Sequence, residues 1–114
     1  MVDMIEKSSD IKGKPLKLKE LIDYQEGSVV SRTIIDKKAG TVTLFAFAEG
    51  EGLSEHTAPF DAMVIDIEGE ANVSVAGVDH KLDSGDVIIM PANKPHALRA
   101  LTKFKMILVM IKAK

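Results

Sequence analysis

The sequence predicts an all-β domain, an antiparallel sandwich or barrel. Short runs of β-branched and aromatic residues alternate with clusters of Gly, Asp, Asn and Ser, as in strands joined by tight turns. No helical pattern of the length that a βαβ unit needs lies between these runs. The chain has 114 residues, which is enough for one domain with one hydrophobic core.

The chain divides into a short arm and the predicted barrel. Residues 1–27 are mostly polar and contain a short helical pattern at Leu18, Leu21 and Ile22, so they form a predicted N-terminal arm. Residues 28–114 form the predicted barrel domain. Its expected strands, separated by turn signals, cover residues 28–35, 41–48, 62–67, 72–76, 79–82, 87–90 and 104–111.

The amino-acid composition limits the kinds of molecule that we expect this protein to bind. The 15 Lys and Arg residues are balanced by 17 Asp and Glu residues, so no basic excess is present to bind a nucleic acid backbone. The absence of cysteine removes disulfides, thiolate metal sites and a thiol nucleophile. The N-terminal residues lack the apolar core of a signal peptide, and the longest apolar run, at 106–111, is too short to span a bilayer. We therefore expect a cytoplasmic protein with neither a nucleic acid nor a membrane partner.

Two segments resemble the paired motifs of the cupin family. Residues 50–70, which contain His56, resemble the first motif, in which a glycine precedes a His-x-His pair, a glutamate and a later glycine. Residues 85–96, which end in His96, resemble the second motif of glycine, proline and histidine. The resemblance spans about residues 40–111 and implies a double-stranded β-helix, that is, a jelly-roll barrel.

The resemblance also implies a metal site, and here this sequence departs from the pattern. Family members with a full set hold Mn, Fe, Ni or Zn with three histidines and a glutamate. The spacing of two of these histidines and the glutamate places them on one face, and the third histidine comes from a facing strand. The matching positions in this chain are His56, Ala58, Ala62 and His96, so two of the four ligands are alanines. Asp61, the nearest carboxylate, has the opposite strand parity. A divalent metal held by His56 and His96 therefore stays one hypothesis, and nearby methionines add Cu(I) as another metal.

An apolar pocket in the barrel is the alternative use of the same region. Strand parity and the motif positions give a predicted pocket wall of Phe45, Phe47, Phe60, Met90, Leu98, Met106 and Met110. Three functions follow as hypotheses. The protein binds a small organic ligand beside the reduced His56/His96 site, or it is a metal-dependent oxygenase or isomerase, or it is a metal-free enzyme that uses one of these histidines as an acid or base.

Outward-facing apolar residues predict a homodimer. A group of them has the parity opposite to the proposed interior and needs cover by a second layer or a partner subunit: Ile65, Ile67, Ile107, Val109 and Ile111.

The sequence also gives expectations for two charged residues, Asp66 and Lys105. Asp66 has interior parity, and a buried carboxylate without a partner is costly, so we expect a hydrogen-bond partner or a place at a barrel end. Lys105 is expected at the surface or the rim.

Overall fold

A computed structural model describes residues 2–3 and 11–112 and contains two β-sheets. The strands are β1 (Val2–Asp3), β2 (Val29–Lys37), β3 (Gly40–Phe47), β4 (Gly52–His56), β5 (Ala62–Glu68), β6 (Ala71–Val75), β7 (Val78–Leu82), β8 (Val87–Met90), β9 (His96–Ala100) and β10 (Phe104–Ile111). One sheet has the order β1-β2-β3-β10-β5-β8 and the other the order β4-β9-β6-β7. All pairs are antiparallel except β1 with β2.

The all-β prediction and the jelly-roll arrangement are confirmed. Strands β1, β4 and β9 are additional to the runs that the sequence marked. In β4 and β9 the alternation is interrupted by polar residues, among them the two histidines. The helical pattern of the arm forms a single 3₁₀ turn, Leu18–Glu20, and no α-helix occurs in the described residues. No helix in this part of the chain is long and apolar enough to cross a membrane.

The main core lies between the sheets and takes residues from both. On β10 the side chains alternate strictly, so that Phe104 and Met106 are buried in this core while Ile107 faces the other side of the sheet. Val64 on β5 and Val73 on β6 meet in the same core. The alternation therefore gives the six-stranded sheet an inner and an outer apolar face.

The N-terminal segment covers part of the outer face. Ile22 is only 3% exposed and packs with Leu44 and Ala46 of β3. Two buried basic side chains hold this segment in place by hydrogen bonds. Arg32 Nη1 donates to the Leu21 carbonyl oxygen at 2.7 Å, and Lys105 Nζ donates to the Lys19 carbonyl oxygen at 2.6 Å. The part of the arm around residues 19–22 therefore packs against the outer face of the six-stranded sheet.

The buried position of Lys105 corrects the expectation of a surface or rim charge. Its side chain has 6% exposure, because its carbon stem lies under the arm and its ammonium group lies 4.9 Å from the centre of the Tyr24 ring. The Tyr24 hydroxyl in turn donates to Glu68 Oε2 at 2.5 Å. Burial, together with this carboxylate, raises the pKa of Tyr24.

The arm also covers two of the residues that predicted a dimer. Ile67 and Ile107 pack against the cluster formed by Ile22, so the chain itself supplies their cover. Val109 is half-buried, and Ile111 remains 58% exposed. The uncovered part of the outer face is thus the half away from the arm.

Asp66 is a buried carboxylate without a hydrogen-bond partner among the described residues. Its side chain continues the inner face of β5 and is 2% exposed, and neither carboxylate oxygen has a partner. Of the two expectations for Asp66, a hydrogen-bond partner is therefore not found in the part of the chain that the structure describes. Burial, followed by the nearby carboxylates of Asp86 and Asp83, raises the pKa of Asp66 from 3.8 to about 7.

This shift makes the stability of the protein depend on pH. The unfolded chain ionises Asp66 above pH 3.8, whereas the folded chain keeps it protonated up to about pH 7, so stability falls as the pH rises through this window. In Asp66→Asn, which does not titrate, this part of the decline is absent. We expect the free energy of unfolding of the variant, relative to wild type, to rise by roughly 2–4 kcal/mol from pH 4.5 to pH 8, measured by urea denaturation.

Asp79→Asn is the matched control, because Asp79 is exposed on β7. Its stability should follow the wild-type pH dependence. If the free energy of unfolding of Asp66→Asn and of the wild type changed with pH in parallel, this would contradict the raised pKa of Asp66.

Candidate functional site

A small apolar cavity of about 50 Å³ lies inside the barrel. The only polar side chains among its lining residues are those of His56 and His96; the others are Leu53, Ala58, Ala62, Val64, Met90, Ala97, Leu98, Met106, Leu108 and Met110. Ligand sites typically combine an apolar wall with a few polar groups, and this cavity has that composition. Its volume is about a third of the roughly 150 Å³ that accommodates benzene.

A β-bulge in β4 brings the two histidines together. Leu53 pairs with Leu98 and His56 pairs with His96, so three residues of β4 correspond to two residues of β9. Without this extra residue, Leu53 and His56 would point to opposite faces of the sheet, but with it both line the cavity. The histidines therefore belong to neighbouring strands of one sheet.

Gly52 permits the close approach of these strands. A Cβ atom at this position would lie 2.1 Å from the Leu98 carbonyl oxygen, far inside contact distance. A side chain here would push β4 away from β9 just before the bulge.

The two imidazoles contact each other through their Nε2 atoms. These atoms are 3.1 Å apart, and the rings meet edge to face with their centres 4.4 Å apart. His96 is 5% exposed, whereas His56 is exposed at the mouth of the cavity. The pair thus forms a polar point at the edge of an apolar space.

The other ring nitrogens are held by the backbone. His56 Nδ1 lies 2.8 Å from the Ser54 carbonyl oxygen, and His96 Nδ1 lies 3.2 Å from that of Lys94. A carbonyl oxygen only accepts hydrogen bonds, so each Nδ1 carries a proton, and in a neutral imidazole the Nε2 is then a bare acceptor. Burial, followed by the His56 ring, lowers the pKa of His96, so this ring is neutral at pH 7.

The two Nε2 atoms converge, and each Nδ1 atom is held by a backbone carbonyl. This arrangement suits two adjacent protein ligands of one metal ion. The remaining ligand positions are Ala58 and Ala62, which line the cavity beside the histidines and have no donor atom. No group of three or more His, Cys, Asp or Glu side chains suited to a metal occurs within the described ranges. The chain therefore supplies half of the four-ligand set and does not fit a complete metal centre of that kind.

Asp61 has a structural role in the loop before β5. Its Oδ1 accepts a hydrogen bond from the Ala92 backbone N–H at 2.8 Å, and the Asn93 N–H donates to the Ala58 carbonyl oxygen at 2.7 Å. These bonds connect the loop before β5 to the loop after β8. Asp61 is thus engaged away from the histidines, in agreement with its strand parity.

The structure brings together part of the pocket wall that the sequence predicted. Met90, Leu98, Met106 and Met110 line the cavity. Three aromatic residues do not belong to its lining, namely Phe45, Phe47 and Phe60.

The reason lies in how the rings pack. Phe47 is fully buried between Phe45 and Phe104, with ring centres 5.7 Å apart on each side, so these rings fill the core beside the cavity. Phe60 lies in the loop between β4 and β5, half-buried. Leu53, Val64 and Ala97 are lining residues that the sequence did not indicate. Leu108 shares its strand parity with Met106 and Met110 and lines the cavity with them.

Similar structures are known from several bacteria. A conserved protein of unknown function from Streptococcus pyogenes is 31% identical, with a TM-score of 0.85 and 90% of each chain covered. A cupin superfamily protein from Desulfitobacterium hafniense is also 31% identical, with a TM-score of 0.83 over 88% of this chain and 92% of that chain.

A cupin 2 conserved barrel domain protein from Leptotrichia buccalis is 37% identical, with a TM-score of 0.82. The alignment covers 85% of this chain but 47% of the other, so the present chain corresponds to about half of that protein. A comparison with curated proteins found no match.

The family model of the cupin domain matches residues 43–112, which contain both motif segments from β4 onwards and most of the strands. The cavity lining, the paired histidines and the whole four-stranded sheet lie within this region. The chain therefore belongs to the cupin family.

Proposed function

We propose that this protein binds a small, largely apolar organic molecule in the barrel, with the His56–His96 pair as its polar contact. The observation that carries the proposal is the cavity itself, which is enclosed by aliphatic and thioether side chains and has two imidazoles as its only polar side chains. Each methylene group transferred from water to such a wall contributes about 0.8 kcal/mol. The apolar wall supplies affinity, and the pair supplies orientation.

The size of the cavity limits what enters it. About 50 Å³ accommodates a short aliphatic group but no aromatic ring without movement of the wall. Met90, Met106 and Met110 give this wall flexible side chains, which adapt to a ligand at low cost. The ligand is thus a short-chain molecule, or a larger one that inserts a short apolar end.

The two enzyme hypotheses have less support. A metal-dependent oxygenase or isomerase needs ligands that Ala58 and Ala62 do not provide, and no reaction step follows from two imidazoles alone. An acid–base enzyme would have only the His pair for proton transfer, because the cavity lining contains no Asp, Glu, Lys, Arg or Tyr. Binding needs none of these additional groups.

Filling the cavity tests the binding proposal. Ala62→Leu places a larger side chain in the space between the histidines and the methionines, so we expect it to abolish binding of an apolar probe. Xenon is a suitable probe because it enters dry apolar cavities. In the wild type, xenon should shift the methyl NMR signals of Met90, Met106 and Met110; in Ala62→Leu these shifts should be lost.

Ala39→Leu is the control, because Ala39 is exposed in the turn before β3. It should keep the xenon-induced shifts. A wild-type protein whose methionine signals do not respond to xenon would refute the proposed pocket.

Restoring the missing ligands tests the assignment of the alanines. Ala58→His with Ala62→Glu adds an imidazole and a carboxylate beside His56 and His96, so affinity for Zn²⁺ or Mn²⁺ should rise at least about tenfold. Calorimetric titration of the double variant, each single variant and the wild type measures this gain. Equal affinities in all four proteins would show that Ala58 and Ala62 do not occupy ligand positions.

We also propose that the protein forms a homodimer through the uncovered half of its outer sheet face. Five directly opposed apolar residues cross five neighbouring strands there, and we call them the outer row: Ile35, Val42, Val109, Met63 and Ile89. The ends of the row are exposed, at 50% for Ile35 and 61% for Ile89. The row carries no charge, which suits contact with a second copy, because a two-fold interface places like charges close together.

A charge in the outer row should separate the subunits. Ile89→Glu should reduce the mass measured by light scattering from about twice 12.4 kDa to 12.4 kDa, because it buries a carboxylate in the contact. Val78→Glu is the matched control, since Val78 is 57% exposed on β7 of the other sheet. A wild-type mass of 12.4 kDa at high concentration would exclude this dimer.

A further inference from the structure

Both histidines of the cavity and two of its methionines lie at one end of the barrel. Strand β4 ends at His56 and β8 ends at Met90, while β9 begins at His96. Met110 is the last residue but one of β10. Because β8 and β10 both pair with β5, Met90 and Met110 are the two cross-strand neighbours of Ala62, the first residue of β5. Ala62 therefore has a methionine on each side at its own level of the sheet.

The two sheets are joined at this same end. The loops 57–61 and 91–95 carry the chain from one sheet to the other, so the histidines of the four-stranded sheet and the methionines of the six-stranded sheet line the same end of the cavity. Cross-strand neighbours have Cβ atoms about 5 Å apart, and a methionine side chain has three rotatable bonds. Both sulfur atoms can therefore reach the space that the small side chain of Ala62 leaves open.

The spacing of the imidazoles suits one ion held between them. The Nε2 atoms of His56 and His96 are 3.1 Å apart. Two nitrogen ligands of one tetrahedral ion, each about 2.0 Å from it, are about 3.3 Å apart. The paired strands set this spacing, which does not depend on which ring nitrogens carry protons. An ion at this point thus needs almost no movement of either ring.

The donors at this end favour a soft cation of low charge. Imidazole and thioether groups are ligands of Cu(I), whereas the carboxylates that harder divalent ions prefer are absent from the cavity lining. All of these donors are neutral, so a bound ion keeps its full charge in an apolar space. The cost of burying that charge grows with its square. A singly charged ion is therefore favoured over Zn²⁺ or Mn²⁺.

We propose that Cu(I) binds at this end of the barrel, held by two imidazole nitrogens and two thioether sulfurs, those of His56, His96, Met90 and Met110. The sulfur atoms come from the strands on either side of Ala62 and complete a four-donor set without any carboxylate. Metal binding of this kind does not depend on the organic ligand proposed above. Three of the four methionines in residues 11–112 line the cavity, which concentrates soft donors beside the histidine pair.

Replacement of each sulfur by a carbon group tests the site. Met90→Leu and Met110→Leu nearly preserve the volume of the apolar wall but remove the donor, so each should weaken Cu(I) binding by at least about tenfold. The affinity is measured under nitrogen by competition with bicinchoninate, with ascorbate to keep copper reduced. Met63→Leu is the matched control, because Met63 lies on the opposite face of β5 from Ala62. Its Cu(I) affinity should equal that of the wild type.

NMR identifies the ligands directly. Cu(I) is diamagnetic, so its binding should shift the methyl signals of Met90 and Met110 and leave that of Met63 in place. Zn²⁺ should bind to the wild type at least about tenfold more weakly than Cu(I), because no carboxylate offsets its second charge.

The outcomes separate this proposal from the binding of an organic molecule. Cu(I) affinity that is unchanged in both Met90→Leu and Met110→Leu would overturn it, because the histidines alone would then hold the ion. Zn²⁺ affinity equal to that for Cu(I) would also contradict it. Absence of Cu(I) binding by a wild type that still responds to xenon would overturn the copper site and leave the apolar pocket standing.

Discussion

The pairing of β4 with β9 through a bulge is the constraint on which the site depends. One additional residue in β4 turns His56 to the same face as Leu53, and the same bulge supplies the Ser54 carbonyl that fixes the His56 ring. The partner strand fixes His96 in the same way through the Lys94 carbonyl. Backbone geometry thus determines both the position of the two imidazoles and the direction of their lone pairs. The apolar cavity adds volume and a low dielectric around a pair that the strands have already oriented.

The six-stranded sheet has a separate role on each of its faces. Its inner face contributes Met106 and Met110 to the cavity and Phe47 to the adjoining core. Its outer face is shared between the N-terminal segment and the uncharged outer row. Because alternate residues of β10 serve the two faces, a register error in this strand would disturb the pocket and the outer surface together. The buried ammonium group of Lys105 strengthens this coupling, since it joins the middle of the sheet to the backbone of the arm.

The strand pattern and the two motif segments were sufficient to predict the fold, because alternation and turn chemistry are local properties of the chain. Parity also placed Met106 and Met110 in the pocket wall and set Ala58 and Ala62 beside the histidines. It failed for Phe45 and Phe47, since parity gives a face of the sheet but not a position along the barrel. The bulge, the hydrogen bond of Lys105 and the missing partner of Asp66 depend on contacts between distant segments. No local pattern in the sequence reports such contacts.

Ala58 and Ala62 have an evolutionary consequence. The same two positions that lack coordinating side chains also provide free space next to the histidines, so one pair of side chains decides both the number of metal ligands and the room for an apolar group. Each substitution would exchange a methyl group and a larger polar side chain at a position outside the β4–β9 pairing that orients the two rings. A barrel of this kind can therefore pass between a coordination chemistry and a recognition chemistry by a short mutational path, without rebuilding its backbone.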